Sequence, residues 1–126
     1  MKRLLAISFV SLAALSFQAS ALCLKITNSY SGTMAANSKI VAYGPFTITS
    51  VNGCSQANIT ASVSAVGVGP TPKLYIERQQ GASWIPVAGN TGNNASYLGP
   101  LGTYRVRQEN RETVSTTYSG STGYGR

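Results

Sequence analysis

The sequence lacks aspartate and histidine altogether, and its only acidic side chains are Glu77, Glu109 and Glu112. Most hydrolytic and metal-binding sites need several carboxylates or an imidazole. The many serine and threonine hydroxyls have no imidazole to activate them, and Glu109 with Glu112 is a weak glycosidase-like pair at best. Phosphate-loop, dinucleotide-binding and zinc-binding spacings are also absent. The sequence therefore predicts a protein that is not an enzyme and that needs no metal ion or other cofactor.

A long apolar run occurs once, over residues 4–17, between a basic start at residues 1–3 and small residues that end at Ala21. This order is typical of a bacterial signal peptide, residues 1–21, that is removed by cleavage after Ala21. A membrane anchor is one alternative, although the run is short for a span of about 30 Å of hydrocarbon. A lipoprotein modified at Cys23 is another. We expect an exported protein of the periplasm, the cell surface or the medium.

Acidic residues are outnumbered by basic ones in the mature chain. Residues 22–126 contain eight lysines and arginines against three glutamates, a net charge of +5. Such a surface attracts anionic partners at low ionic strength. The partners we expect are an anionic surface, a glycan or another envelope protein, and nucleic acid is not expected.

Cysteine occurs twice, at Cys23 and Cys54. An even number of cysteines in an exported chain predicts one disulfide. It would close a loop of about thirty residues and stabilise the fold by roughly 3.5 kcal/mol in the chain-entropy treatment. A redox or metal-binding thiol pair is the alternative, but the CxxC spacing that such pairs often have is missing. We therefore expect the start of the mature chain to be tethered to the core.

After the signal peptide, apolar and polar residues alternate, and no stretch has the spacing of an amphipathic helix. Residues 58–66 are the clearest strand, and 73–87 are predicted to form a hairpin with Pro86 at a sheet edge or beside a bulge. Seven or eight short strands over 22–118 predict an all-β, two-sheet sandwich of immunoglobulin-like or fibronectin-III-like architecture, with a small β-barrel as the alternative. The Gly/Ser-rich residues 119–126 are predicted to be a flexible tail.

Residues 74–107 carry a resemblance to a known family. The segments LYIER and GASWIPV resemble the hairpin of many bacterial and phage immunoglobulin-like or fibronectin-III-like modules, and LGPLGTYRVR is similar to the corner before their penultimate core strand. The resemblance implies that the Tyr104 hydroxyl returns to upstream backbone and that Trp84 covers one end of the core. It also implies binding, adhesion or display.

The candidate ligand-binding residues are Arg105, Arg107, Arg111 and Tyr75. Two residues apart on a strand, Arg105 and Arg107 share one face, and Arg111 follows just beyond. They could bind sulfate, phosphate or carboxylate groups, with Tyr75 as a stacking partner. The alternative, which we favour, is that Glu77 on a neighbouring strand simply pairs with Arg105 or Arg107.

Together these features predict an exported adhesion or ligand-binding module that acts through a basic, tyrosine-containing face. A self-associating subunit of a surface filament or virion-like assembly is the second hypothesis, since both chain ends could add to an open sheet edge. An inhibitor of an extracellular enzyme is the third, although no motif indicates it.

Overall fold

The computed structural model describes residues 22–89 and 93–126, which form eight β-strands and no helix. The predicted signal peptide and residues 90–92 of a predicted turn lie outside the described residues. The strands are β1 (Lys25–Met34), β2 (Ser38–Ile48), β3 (Ala57–Ala65), β4 (Lys73–Gln80), β5 (Ser83–Gly89), β6 (Asn94–Gly99), β7 (Gly102–Asn110) and β8 (Thr116–Gly125). Alternation of polar and apolar residues lets each strand bury one row of side chains and expose the other.

The strands form two four-stranded antiparallel sheets. Sheet A has the order β1-β8-β3-β6, and sheet B has the order β2-β7-β4-β5. Only the β4–β5 hairpin joins neighbours within a sheet, and every other connection crosses from one sheet to the other. This is the arrangement of an eight-stranded double-sheet jelly roll.

The prediction of an all-β, two-sheet sandwich with seven or eight strands is confirmed, but the strand order needs a correction. In an immunoglobulin sandwich several consecutive strands are neighbours in one sheet. Here consecutive strands other than β4 and β5 lie in opposite sheets. The alternation of polar and apolar residues and the positions of turn residues define strands and local hairpins. They carry little information about which sheet a strand enters, and the observed strand order therefore differs from the predicted one.

The core lies between the two sheets and is built from the inward rows of both. Its fully buried apolar side chains include Ile48, Ile59, Leu74, Ile76 and Val106. Tyr104 is also completely buried, and its hydroxyl donates a hydrogen bond to the Pro100 carbonyl, as the resemblance implied. Its cross-strand partner Phe46 stacks on Tyr124 with ring centroids 4.1 Å apart.

The predicted disulfide between Cys23 and Cys54 is present and joins residues 31 positions apart. It ties the segment before β1 to the loop between β2 and β3. Its sulfurs lie directly over Gly125, where an added Cβ would come within 2.5 Å of the Cys23 Sγ. The disulfide therefore fixes the start of β1 and the end of β8 together.

The structure of the Gly/Ser-rich end of the chain differs from the prediction of a flexible tail. Residues 119–125 are not a flexible tail but part of β8, which pairs with β1 on one side and β3 on the other. Its glycines leave room for side chains that cross the strand: an added Cβ at Gly120 would lie 2.3 Å from the Ser62 carbonyl oxygen and 2.6 Å from the Tyr30 ring. The absence of side chains on these glycines therefore allows neighbouring groups to pack closely against β8.

The β4–β5 hairpin forms as predicted. β5 is an edge strand of sheet B, and its pairing with β4 shifts register between Ile76 and Glu77, opposite Ala88 and Pro86. Pro86 therefore lies both at an edge and beside a bulge, which are the positions in a sheet that tolerate a residue without an N–H.

Candidate ligand-binding face

The outer surface of sheet B carries the candidate site. Along β4, Leu74 and Ile76 point into the core, so Lys73, Tyr75 and Glu77 point outward. The register of β4 with β7 sets the three outward residues of β4 directly opposite outward residues of β7. The cross-strand partners are Lys73 with Glu109, Tyr75 with Arg107, and Glu77 with Arg105.

The centre of this surface is a carboxylate held between two guanidinium groups. Arg105 Nε donates to Glu77 Oε1 at 2.7 Å, and Arg107 Nε donates to Glu77 Oε2 at 2.7 Å. The arginine side chains cover the carboxylate so well that Glu77 is only 4% exposed, although it lies on the outer side of a sheet. The cross-strand pairing that the sequence favoured is confirmed, and it involves both arginines.

Each of these arginines also lies against an aromatic ring. The Cζ of Arg105 is 4.3 Å from the centroid of the Trp84 ring, and the Cζ of Arg107 is 4.5 Å from the centroid of the Tyr75 ring. A guanidinium over an aromatic face is attracted by the ring quadrupole. The rings and the carboxylate therefore fix the orientation of both cations.

A second carboxylate, Glu109, organises the end of the face near the β1–β2 connection. Arg111 Nε donates to Glu109 Oε1, and Lys39 Nζ lies 3.4 Å from Glu109 Oε2. Arg107 Nη1 is 3.8 Å from the same Oε2 atom. Arg111 also donates through Nη2 to the Tyr75 hydroxyl at 3.0 Å, which joins this cluster to the first. The two carboxylates and their cations thus form one continuous network.

The charges in the second cluster change the acidity of Glu109. Burial alone opposes ionisation and would raise the pKa of this carboxyl group, but the hydrogen bonds and positive charges of Arg111 and Lys39 outweigh it and lower the pKa. Glu109 is therefore ionised at neutral pH, and its charge is held by neighbouring cations.

We call this outer surface of sheet B the basic face. Five of the eight cationic side chains of residues 22–126 lie on it, and with them two of the three glutamates. The cations are Lys39, Lys73, Arg105, Arg107 and Arg111. Beside the second cluster is a shallow depression of about 190 Å³, lined by Asn37, Ser38, Lys39, Glu109, Asn110 and Arg111. Because Lys39 and Arg111 are the most exposed cations of the network, they are the ones most accessible to a ligand.

The outer surface of sheet A has a different chemistry, and we call it the hydroxyl face. Small hydroxyl side chains follow one another across its strands in register, for example Ser29, Ser121 and Ser62 in one row and Ser31, Ser119 and Ser64 in the next. In its described part, Lys25 is the only charged residue among the strand positions that point outward. The positive charge of the domain is therefore concentrated on one side.

Comparison with known proteins supports the architecture. No protein-family model and no curated protein sequence matches the chain. Among solved structures, the chain is similar to the Yersinia pseudotuberculosis-derived mitogen, with a TM-score of 0.58, 16% identity, and coverage of 79% of this chain and 86% of that one. That similarity concerns the fold alone.

Two further similarities are weaker. A subunit of Bacillus endospore appendages, described as disulfide-linked pili, has a TM-score of 0.43 and 16% identity, over 90% of this chain and 98% of that one. The periplasmic inhibitor of g-type lysozyme from Aeromonas hydrophila has a TM-score of 0.42 and 12% identity, over 87% and 92% of the two chains.

The structure brings together all four residues that the sequence singled out. Arg105, Arg107, Tyr75 and Arg111 belong to one contact network on the basic face. Trp84 is placed differently from what the resemblance implied, because its ring lies under Arg105 on the outer surface and does not cover the core.

Sequence reasoning missed Glu109 and Lys39 as members of the network. Glu109 could have been found, since it continues the alternation of Arg105 and Arg107 on β7. Lys39 could not, because its position opposite Glu109 depends on the pairing of β2 with β7.

Residues 22–89 and 93–126 contain no group of three or more Cys, His, Asp or Glu side chains that could hold a metal ion. In the same part of the chain, no helix has the length and apolar character needed to cross a membrane.

Proposed function

We propose that this protein is an exported, non-enzymatic binding module that attaches to anionic ligands through the basic face, as in adhesion or ligand capture. The ligands would carry sulfate, phosphate or carboxylate groups on a glycan or on an envelope component. The signal-like start of the sequence, the disulfide and the one-sided distribution of charge support this proposal.

The observation that carries the proposal is the fixed geometry of the arginines. Arg105 uses one of its five N–H donors on Glu77, and its plane is supported by Trp84. The other donors remain for a ligand or for water. A guanidinium that is already oriented loses little conformational entropy when it binds an oxyanion, so it binds more tightly than a mobile one.

The carboxylates of the basic face are poorly suited to catalysis. A general acid needs a pKa raised toward neutrality. Glu109 has a lowered pKa, and Glu77 is engaged by two guanidinium groups. Both side chains therefore act as anionic supports for cations.

A self-associating structural subunit is the second candidate function. One long sheet edge, that of β1, has no strand paired with it in the described part of the chain. An open strand edge of this kind favours association with another strand.

The proposal is tested by measuring the affinity of the exported protein for heparin, a sulfated polysaccharide, at several salt concentrations. The double variant Lys39→Ala with Arg111→Ala removes two exposed cations from the basic face. We expect binding about 5- to 30-fold weaker, because each exposed charge pair contributes about 0.5–1 kcal/mol. Denaturant unfolding of the same variant confirms that the fold is retained.

The matched control is Lys25→Ala with Arg126→Ala, which changes the net charge by the same amount away from the basic face. We expect this control to bind heparin almost as well as the unaltered protein. Equal losses in the two double variants would show that net charge alone attracts the polysaccharide, and the assignment to the basic face would be withdrawn.

A further inference from the structure

The four sheet edges differ in how they are protected against pairing with another chain. β2 carries two register shifts and Pro45, and β5 carries Pro86 with its bulge. β6 has six residues and ends next to Pro100. Bulges, prolines and short length are the devices that block edge pairing. β1 has none of them: it pairs with β8 over ten consecutive residues without a register shift.

The direction of the β1 backbone groups follows from one hydrogen bond. The Arg126 N–H donates to the Leu24 carbonyl, so Leu24 and Arg126 form a hydrogen-bonded antiparallel pair. Such pairs alternate along a ladder, and the residues between them direct N–H and C=O away from the partner strand. On β1 these outward residues are Lys25, Thr27, Ser29, Ser31 and Thr33.

We propose that β1 pairs with β1 of a second copy of this chain to form a two-fold symmetric dimer with a continuous eight-stranded sheet. The proposal does not depend on the basic face or on any ligand. Because the same strand is used on both copies, the contact is self-complementary and closes after two subunits.

The sequence of β1 fits itself in one antiparallel register. With Ser29 opposite its own copy, Thr27 faces Ser31, and Lys25 faces Thr33. All five outward residues then meet outward residues, which allows about ten backbone hydrogen bonds. The single charge of each strand lies opposite a threonine, so no like charges face one another. This charge and hydrogen-bond complementarity identifies a second copy as the occupant of the edge.

The symmetry of the dimer also determines the direction in which the two faces of each copy point. A two-fold axis between antiparallel strands runs perpendicular to the sheet, so the hydroxyl faces of both copies lie on one side and both basic faces on the other. The subunits would thus present two binding surfaces in the same direction.

The test is sedimentation equilibrium of the exported protein from about 1 µM to about 500 µM, a range that detects weak dimers. Ser29→Pro removes an outward N–H and places the proline ring on the open edge, while the β1–β8 ladder keeps its hydrogen bonds. We expect the unaltered protein to dimerise and Ser29→Pro to weaken the dimer at least about tenfold. Ser96→Pro makes the same change on β6, where the hydrogen bond from Val63 N to the Asn93 carbonyl shows that Ser96 also points outward, and should leave the dimer intact.

A second pair of variants tests the register without altering the backbone. Thr27→Lys with Ser31→Lys places like charges opposite each other across the dyad and should dissociate the dimer. Thr27→Glu with Ser31→Lys places opposite charges there and should preserve it. A monomer at the highest concentration, a dimer that survives Ser29→Pro, growth into longer assemblies, or equal behaviour of the two charge variants would each overturn the proposal. Heparin affinity is measured separately, so failure of the dimer and failure of the basic face are distinguishable.

Discussion

The substitution Glu77→Gln should have opposite effects on stability and on anion binding. It keeps the size of the side chain but removes the charge between Arg105 and Arg107. Each carboxylate oxygen accepts one bond from an arginine Nε at 2.7 Å, and a charge-assisted hydrogen bond contributes about 1.5–3 kcal/mol. In the variant, the glutamine amide oxygen still accepts a hydrogen bond from one arginine. The amide nitrogen is itself a donor and faces the Nε–H donor of the other arginine, so that hydrogen bond is lost.

The expected loss of stability is about 2 kcal/mol, because the two arginine side chains are 23% and 17% exposed and water compensates part of the lost interaction. With a urea dependence of about 1–2 kcal/mol per M, the midpoint of unfolding falls by about 1–2 M. Urea unfolding followed by tryptophan fluorescence measures this directly, since Trp84 is the only tryptophan and contacts Arg105.

Anion binding should change in the other direction. Without the carboxylate, both guanidinium groups attract external anions more strongly, so heparin affinity should rise. The matched control is Glu112→Gln, which removes the same charge from an exposed side chain and should alter stability by less than about 0.5 kcal/mol. If the two variants unfold at the same urea concentration, or if Glu77→Gln weakens heparin binding, the described role of Glu77 is refuted.

Two further predictions concern the core and β8. Burial, with a hydrogen bond to the Tyr43 hydroxyl, raises the pKa of Tyr124 to about 12. The folded state thus favours the neutral phenol. The stabilisation that Tyr124 gives to the folded state is fully present below about pH 10, and it is lost as pH rises from 10 to 12, which lowers the free energy of unfolding by roughly 1–3 kcal/mol. Tyr124→Phe should reduce that loss in urea unfolding at pH 8 and 11.5, and an unchanged pH dependence would contradict the assignment. Gly120→Ala should destabilise the fold by about 2 kcal/mol or more, because the added methyl meets the Ser62 carbonyl oxygen and the Tyr30 ring at contact distances that neither can relieve. Ser119→Ala, on the exposed side of β8, is its control in thermal unfolding and should have a small effect.

The sequence was sufficient to predict the class of fold, the disulfide and much of the basic face. Alternation placed Arg105 and Arg107 on one side of a strand, which is a local relation within that strand. The placement of Tyr75 and Glu77 beside them came from the immunoglobulin-like sheet, because β4 and β7 are separated in the chain by β5 and β6.

The remaining features depend on long-range pairing. Whether β8 enters the middle of sheet A is decided by the space that Gly120 and Gly125 leave for Tyr30 and for the disulfide, and neither contact has a local signature. A stretch rich in glycine and serine is typical of a flexible tail when its packing partners are unknown. The same limitation explains the strand order, which differs from the immunoglobulin-like one although the neighbouring pair β4 and β7 was predicted.

The central place of β8 has a consequence for biogenesis. β8 separates β1 from β3 and follows the other seven strands in the sequence, so sheet A stays divided until this part of the chain has been synthesised. Before that moment β1 and β3 are unpaired edges with affinity for any extended peptide. Assembly of sheet A thus waits for β8, and premature termination within β8 should leave a product that proteases degrade instead of a shortened but working domain.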